Sequence, residues 1–142
     1  VLEKPPVDKI TAGAIAKRGF SDRISVLAGD MLSAPLPAGF DTHLYSNVLH
    51  DWDVPIVKQL LQKSFAALAP GGVLLIHDAH LNETKTGPLH VAEYSTMLMH
   101  STEGRCYGAG EMQEYLCEAG FGNLQFTPTA AARSVITAQK PA

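Results

Sequence analysis

Ser46-Asn47-Val48-Leu49-His50-Asp51-Trp52-Asp53 follows a short β-type run and leads into the most regular amphipathic segment of the chain. A strand that gives way to a helix marks the rim of an open α/β sheet, where ligands gather at the carboxyl ends of strands. A histidine with an acid and an indole beside it at such a junction makes His50 the candidate reactive centre. Upstream, Asp41 to Tyr45 reads as the strand. Downstream, Ile56, Val57, Leu60, Leu61, Phe65 and Leu68 recur at helical spacing, with Asp53 as N-cap and Pro55 in the first turn, where its missing N–H costs little.

Working outward, Ala69-Pro70-Gly71-Gly72 closes that helix, and Val73 to Ile76 follows as an unbroken apolar run. Such a run predicts a strand covered on both faces, here ending at His77-Asp78. Towards the N-terminus, Val1-Leu2-Glu3 reads as the tail of a strand stopped by Lys4-Pro5-Pro6. Val7 to Arg18 is predicted to be a helix ended by Gly19, Arg23 to Ala28 a strand ending at Gly29-Asp30, and Ser33 to Gly39 a loop. Towards the C-terminus, helices are expected at His90 to His100 and Glu111 to Ala119, then a closing antiparallel pair, Asn123 to Thr127 with Arg133 to Ala138.

Strands alternating with helices imply an α/β domain with a largely parallel sheet. Glu3, Asp30 and Asp78 then stand at the carboxyl ends of three strands and Ser46 at the end of a fourth. These polar groups are expected to converge on one rim.

Composition narrows the function classes. The 142 residues suit one domain, and 46% hydrophobic with 18% charged residues argues against disorder. A net charge of −3 without a basic cluster argues against binding to nucleic acid. No apolar run reaches the ~20 residues of a membrane span. The opening Val1-Leu2-Glu3-Lys4-Pro5 lacks the form of a signal peptide, so a cytoplasmic location is expected. Cys106 and Cys117 have neither a paired nor a metal-ligand spacing and are read as free thiols. His77, Asp78 and His80 do not share a strand face, so no metal site is expected. Because the sequence opens without Met, part-way along a strand, a piece of a longer chain is expected.

Gly29-Asp30-Met31, Leu49-His50-Asp51-Trp52, Leu68-Ala69-Pro70-Gly71-Gly72 and Ala119-Gly120-Phe121 together resemble the S-adenosylmethionine-dependent O-methyltransferases of the plant caffeate and animal hydroxyindole type and their bacterial relatives. Gly-Gly after a helix is a weak signal, whereas His-Asp-Trp ahead of the amphipathic helix with Gly-Asp-Met upstream is much more specific. The resemblance covers nearly the whole chain. It implies a Rossmann-like methyltransferase domain over residues 1–142, partial because the first strand with its Gly-rich turn and the helical N-terminal domain are not in this sequence. A homodimer is implied for the intact protein.

The resemblance also implies roles. Glu3 would accept hydrogen bonds from the ribose hydroxyls of S-adenosyl-L-methionine, the plain alternative being a surface acid beside Lys4. Gly29, Asp30 and Met31 would hold the adenine, where residue type alone suggests a turn. Ser46 falls where plant relatives carry a lysine. His50 would be the general base and Asp78 one of two acids flanking it, with Cys106 in roughly the place of the second. Met97, His100 and Ser101 would line the pocket of a small, aromatic acceptor, with plain core packing as the alternative for Met97. Two other functions fit the pattern less well. A non-catalytic methyltransferase-like binding module would suit the Cys106 departure, and a nicotinamide dehydrogenase would share the acid after the second strand.

Overall fold

The computed structural model describes residues 1–142, which form six strands and four helices. They cluster into two compact units, Val1–Leu36 and Pro37–Ala142.

In the first unit, β1 (Leu2–Glu3) pairs in parallel with β2 (Leu27–Ala28), Leu2 opposite Leu27 and Glu3 opposite Ala28. Between them runs α1 (Val7–Lys17), with Asp8 in its first turn and Lys17 in its last, which suits the helix dipole. Gly19, at φ 73°, ends it as expected. The strand expected from Arg23 shrinks to Leu27–Ala28. The Phe20 carbonyl takes the N–H groups of Arg23 and Ile24, so those residues close a turn after the helix instead of extending.

The second unit contains β3 (Thr42–Ser46), α2 (Val54–Ala67), β4 (Val73–Asp78), α3 (Leu89–Ser101), α4 (Ala109–Glu118), β5 (Gly122–Pro128) and β6 (Ser134–Gln139). The sheet order is β3-β4-β6-β5, with β3/β4 parallel and both β4/β6 and β5/β6 antiparallel. The closing antiparallel pair is thus where the sequence predicts it. β4 is not covered equally on both faces. Leu74, Ile76 and Asp78 are buried and alternate with half-buried Val73, Leu75 and His77, and the strand runs on through His77 and Asp78. The register sets Leu74 opposite Ala138, Ile76 opposite Ile136 and Asp78 opposite Ser134, all six buried. One row of apolar side chains therefore ends in a carboxylate.

Of the stripe its spacing predicts, α2 buries Val57, Leu60 and Leu61, with Ile56 and Phe65 half-buried, and it buries Ser64 besides. It meets the sheet through Tyr45, whose hydroxyl lies 3.0 Å from Ser64 Oγ and 3.4 Å from the Leu60 carbonyl. Phe65 packs edge-on to Phe121 at 5.1 Å between ring centres. A Cβ on Gly120 (φ 100°) would lie 2.8 Å from the Phe65 ring, so the turn after α4 admits only glycine. Asp53 caps α2 by accepting the Ile56 N–H at 3.2 Å, with Pro55 in the first turn. Asp53→Ala should lower unfolding stability by about 1 kcal/mol in urea titrations, and Asp53→Ser should recover most of it.

Candidate functional site

His50 lies on a single 3-10 turn, Leu49–Asp51, between β3 and α2, and is 5% exposed. Asn47, at φ 52°, swings the chain out of β3 into this turn. Four contacts fix the turn from outside. Glu103 N–H donates to the Asp51 carbonyl at 3.2 Å, and Tyr107 Oη donates to the Trp52 carbonyl at 2.6 Å. Gly104 packs so closely that a Cβ would meet the His50 carbonyl and lie 2.6 Å from the Trp52 backbone nitrogen. Tyr94 of α3 stands edge-on to the imidazole, 5.7 Å between ring centres and 89° between planes.

The imidazole is oriented by Asp78. His50 Nδ1 lies 2.6 Å from Asp78 Oδ1, which also accepts the Ala79 N–H at 2.8 Å. A carboxylate offers only lone pairs, so Nδ1 carries the proton and Nε2 keeps its lone pair. Asp51 Oδ1 is 3.6 Å from Nε2, within charge range and beyond hydrogen-bond range. Burial pulls the His50 pKa down, but the Asp78 hydrogen bond and the charges of Asp78 and Asp51 outweigh it, and the net shift is upward despite Arg133. Such a group can take a proton from a neutral hydroxyl and hold it.

A second set of contacts joins the carboxyl rim of this sheet to the β5–β6 connection. Ser46 Oγ lies 3.1 Å from His77 Nδ1, and His77 Nε2 lies 3.3 Å from Thr129 Oγ1. Arg133 Nε donates to Asn47 Oδ1 at 3.0 Å, and its guanidinium sits 5.0 Å over the Tyr94 ring.

The residues singled out in the sequence fare differently. His50, Asp78 and Ser46 come to the same rim. Cys106 does not supply a second acid there. It is fully buried among Ala79, Leu81, Val91 and Leu98, and burial followed by the Asp78 charge pushes its thiol up to about 11, so it stays neutral. The second carboxylate beside His50 is Asp51. Met97 is 56% exposed, so it is not a core residue, and His100 is exposed as well. The Ser101 hydroxyl turns back to donate to the Met97 carbonyl at 3.0 Å. Met97 and Ser101 follow Tyr94 at helical spacing along one side of α3, and Tyr94 is the residue that reaches His50. His80 is 6% exposed, with Nδ1 2.8 Å from Ser134 Oγ and Nε2 without a partner, and burial pulls it down to about 4. It borders a cavity of about 550 Å³ together with Val91, Phe126, Arg133 and Ile136. No three His, Cys, Asp or Glu side chains are grouped to hold a metal ion.

Sequence reading missed Tyr94, Arg133, Asn47 and Gly104. Only Gly104 carried a signal, as a glycine in the link after α3.

In the first unit, parallel pairing brings Glu3 and Gly29-Asp30 to the same end of β1 and β2, and the Gly29 N–H donates to the Glu3 carbonyl at 2.9 Å. Asp30 Oδ1 accepts the Leu32 N–H at 2.9 Å and Oδ2 pairs with Lys4 Nζ at 3.0 Å. The Leu32 hydrogen bond, then Lys4, lower the Asp30 pKa, so it is ionised at neutral pH. A carboxylate can suit a vicinal diol or an exocyclic amine, since each oxygen accepts more than one hydrogen bond.

The O-methyltransferase domain family matches residues 7–122. A 3-hydroxy-5-methyl-1-naphthoate 3-O-methyltransferase of Streptomyces sahachiroi is 35% identical over 125 residues, covering 88% of this chain and 36% of that protein. An O-methyltransferase family 2 protein of Planctomyces limnophilus, solved with apigenin, is 41% identical with a TM-score of 0.91, covering 98% of this chain and 42% of that one. Human N-acetylserotonin methyltransferase, solved with S-adenosylmethionine, is 32% identical with a TM-score of 0.86, covering 100% and 40%. The chain thus spans only about two fifths of the length of these relatives.

Asp78→Asn should lower the His50 pKa, because burial then acts against a weaker partner. The folded pKa of His50 lies above the ordinary 6.5, so its stabilising contribution is complete below pH 6.5 and is lost as pH rises through the folded value. In the variant this loss should shrink, and imidazole NMR titration with urea unfolding at several pH values reads both effects.

Proposed function

This chain belongs to the O-methyltransferase domain family, and from that premise we propose that it transfers a methyl group from S-adenosyl-L-methionine to a hydroxyl of a small aromatic molecule, with His50 as general base. The observation that carries the reading is the 2.6 Å contact between His50 Nδ1 and Asp78 Oδ1, which leaves Nε2 as the basic atom.

S-adenosyl-L-methionine supplies, when bound, a methyl carbon made electrophilic by its sulfonium. An aromatic hydroxyl is a poor nucleophile until its proton leaves. His50 Nε2 takes that proton as the oxygen attacks, a contribution of roughly 10²–10⁴-fold. Asp78 stabilises the imidazolium that results and holds its plane, and Asp51 adds a second negative charge 3.6 Å from Nε2. The proton then passes to water.

Glu3 is assigned the ribose hydroxyls, Asp30 the adenine amine, and Gly29 and Met31 the approach to the adenine ring. Ser46 is assigned to the cofactor as well, with its hydroxyl shared with His77. Met97, His100 and Ser101 are assigned to the acceptor, Met97 and Ser101 lying on the side of α3 that presents Tyr94. The homodimer of the whole protein rests on the resemblance alone, and the cytoplasmic location on the form of the opening residues. No helix is long and apolar enough to cross a membrane.

In the whole protein, His50→Ala should lower methyl transfer to phenolic acceptors by about 10²-fold or more, with donor affinity within two-fold of wild type by calorimetry. A large loss of donor affinity in that variant would remove His50 from the base role. Asp30→Ala should weaken donor binding by about ten-fold, as expected when a charge-assisted hydrogen bond is lost. Wild-type affinity in that variant would take Asp30 out of the site.

A further inference from the structure

Arg133 reaches the base without touching it. It sits at the end of the β5–β6 connection, where Ala131 (φ 56°) and Ala132 (φ 58°) both adopt the left-handed conformation that alanine disfavours. A connection that keeps two such residues is held in place by its surroundings. The holds are visible. Thr129 N–H donates to the Arg133 carbonyl at 2.8 Å, Thr129 Oγ1 meets His77, and Arg133 Nε donates to Asn47 Oδ1 at 3.0 Å. Asn47 is the residue that turns the chain towards His50. The far side of the guanidinium lies 5.0 Å over the Tyr94 ring, which stands edge-on to the imidazole. A guanidinium over a tyrosine face is attracted to its π-cloud, so Arg133 presses the ring that braces the base.

We propose that Arg133 is a positioning residue for His50: through Asn47 it fixes the entry to the base-bearing turn, and through Tyr94 it fixes the tilt of the imidazole. This rests on the reading of His50 as general base.

The groups that set the protonation of His50 are Asp78 from β4, Asp51 from its own turn and Arg133 from the β5–β6 connection, while Tyr94 from α3 faces the ring edge-on and His80 lies just beyond β4. Asp78 and Asp51 favour the imidazolium, and Arg133 is the cation among these groups that acts against them. Two carboxylates alone would leave the base protonated over a wider pH range. Arg133 keeps more of it neutral, and its rigid fork lets one side chain serve both the amide and the ring.

The test uses the whole protein with ¹³C-labelled histidine, following the His50 imidazole by NMR alongside methyl transfer. Arg133→Met should raise the His50 titration midpoint and lower turnover at neutral pH about ten-fold, moving the acid limb of the rate profile upward while donor affinity stays within two-fold. Arg133→Lys keeps the charge and should hold the midpoint near wild type, with a smaller fall in turnover from the lost Asn47 contact. Asn47→Gly accepts the same φ and changes no charge. It should move the midpoint the same way by a smaller amount, and it stands as the measurement if Arg133→Met does not fold. A wild-type midpoint in Arg133→Met, or in Asn47→Gly where that replaces it, overturns the proposal whatever the turnover. The NMR midpoint needs no catalysis. A wild-type protein that methylates no acceptor therefore overturns the base reading, and the link between Arg133 and His50 is still decided by the titration.

Discussion

A proton shared between two buried side chains, His50 and Asp78, is the interaction on which the rest of the site depends. The chain carries its own control for that statement. His80 is as little exposed to water as His50, but its nearest polar partner is a serine hydroxyl, and burial drives it down to about 4. His50 is driven down by burial as well, yet a carboxylate at 2.6 Å reverses the outcome. Two imidazoles in one fold thus hold opposite tendencies, one fixed in the neutral form and one able to accept and keep a proton. A carboxylate hydrogen-bonded to the ring, present for His50 and absent for His80, separates them, together with the heavier burial of His80.

That partner is placed by the sheet. Asp78 ends the row begun by Leu74 and Ile76, and antiparallel pairing with β6 sets the register of the row. A one-residue slip would turn the carboxylate to the opposite face and bring His77 inward. The apolar residues of β4 and β6 therefore do more than fill the core. They set the direction of the carboxylate, and the backbone N–H of Ala79 then leaves Oδ1 aimed at the ring. Base strength in this chain is a property of strand pairing as much as of the two residues that share the proton.

Much of this was legible from the sequence, and the parts that were not share a cause. α2 announced itself through its apolar spacing and through Asp53, because capping and burial are local. His50 and Asp78 could be found because strand ends gather ligands. Tyr94 and Arg133 could not, since nothing in their neighbourhood shows that a helix and a distant strand connection meet at the same ring. Cys106 stands in an apolar place that suits a thiol better than a carboxylate, and the second carboxylate beside His50 comes from Asp51. The strand expected from Arg23 failed because a turn at the Phe20 carbonyl outcompeted the alternation of its side chains.

Lys4 gives the first unit a property of a different kind. Its ammonium occupies one oxygen of Asp30, and its own side chain is 72% exposed to water. A ligand that wants that oxygen meets a resident competitor, tethered one residue beyond Glu3 and unable to diffuse away. Added salt weakens exposed ion pairs of this sort, which loosens the competitor before it weakens a neutral amine bound in its place. For any ligand that takes up that oxygen, the carboxylate would be an exchange point between an internal cation and an external partner. Ionic strength, ordinarily an opponent of polar recognition, would act there on the side of such a ligand.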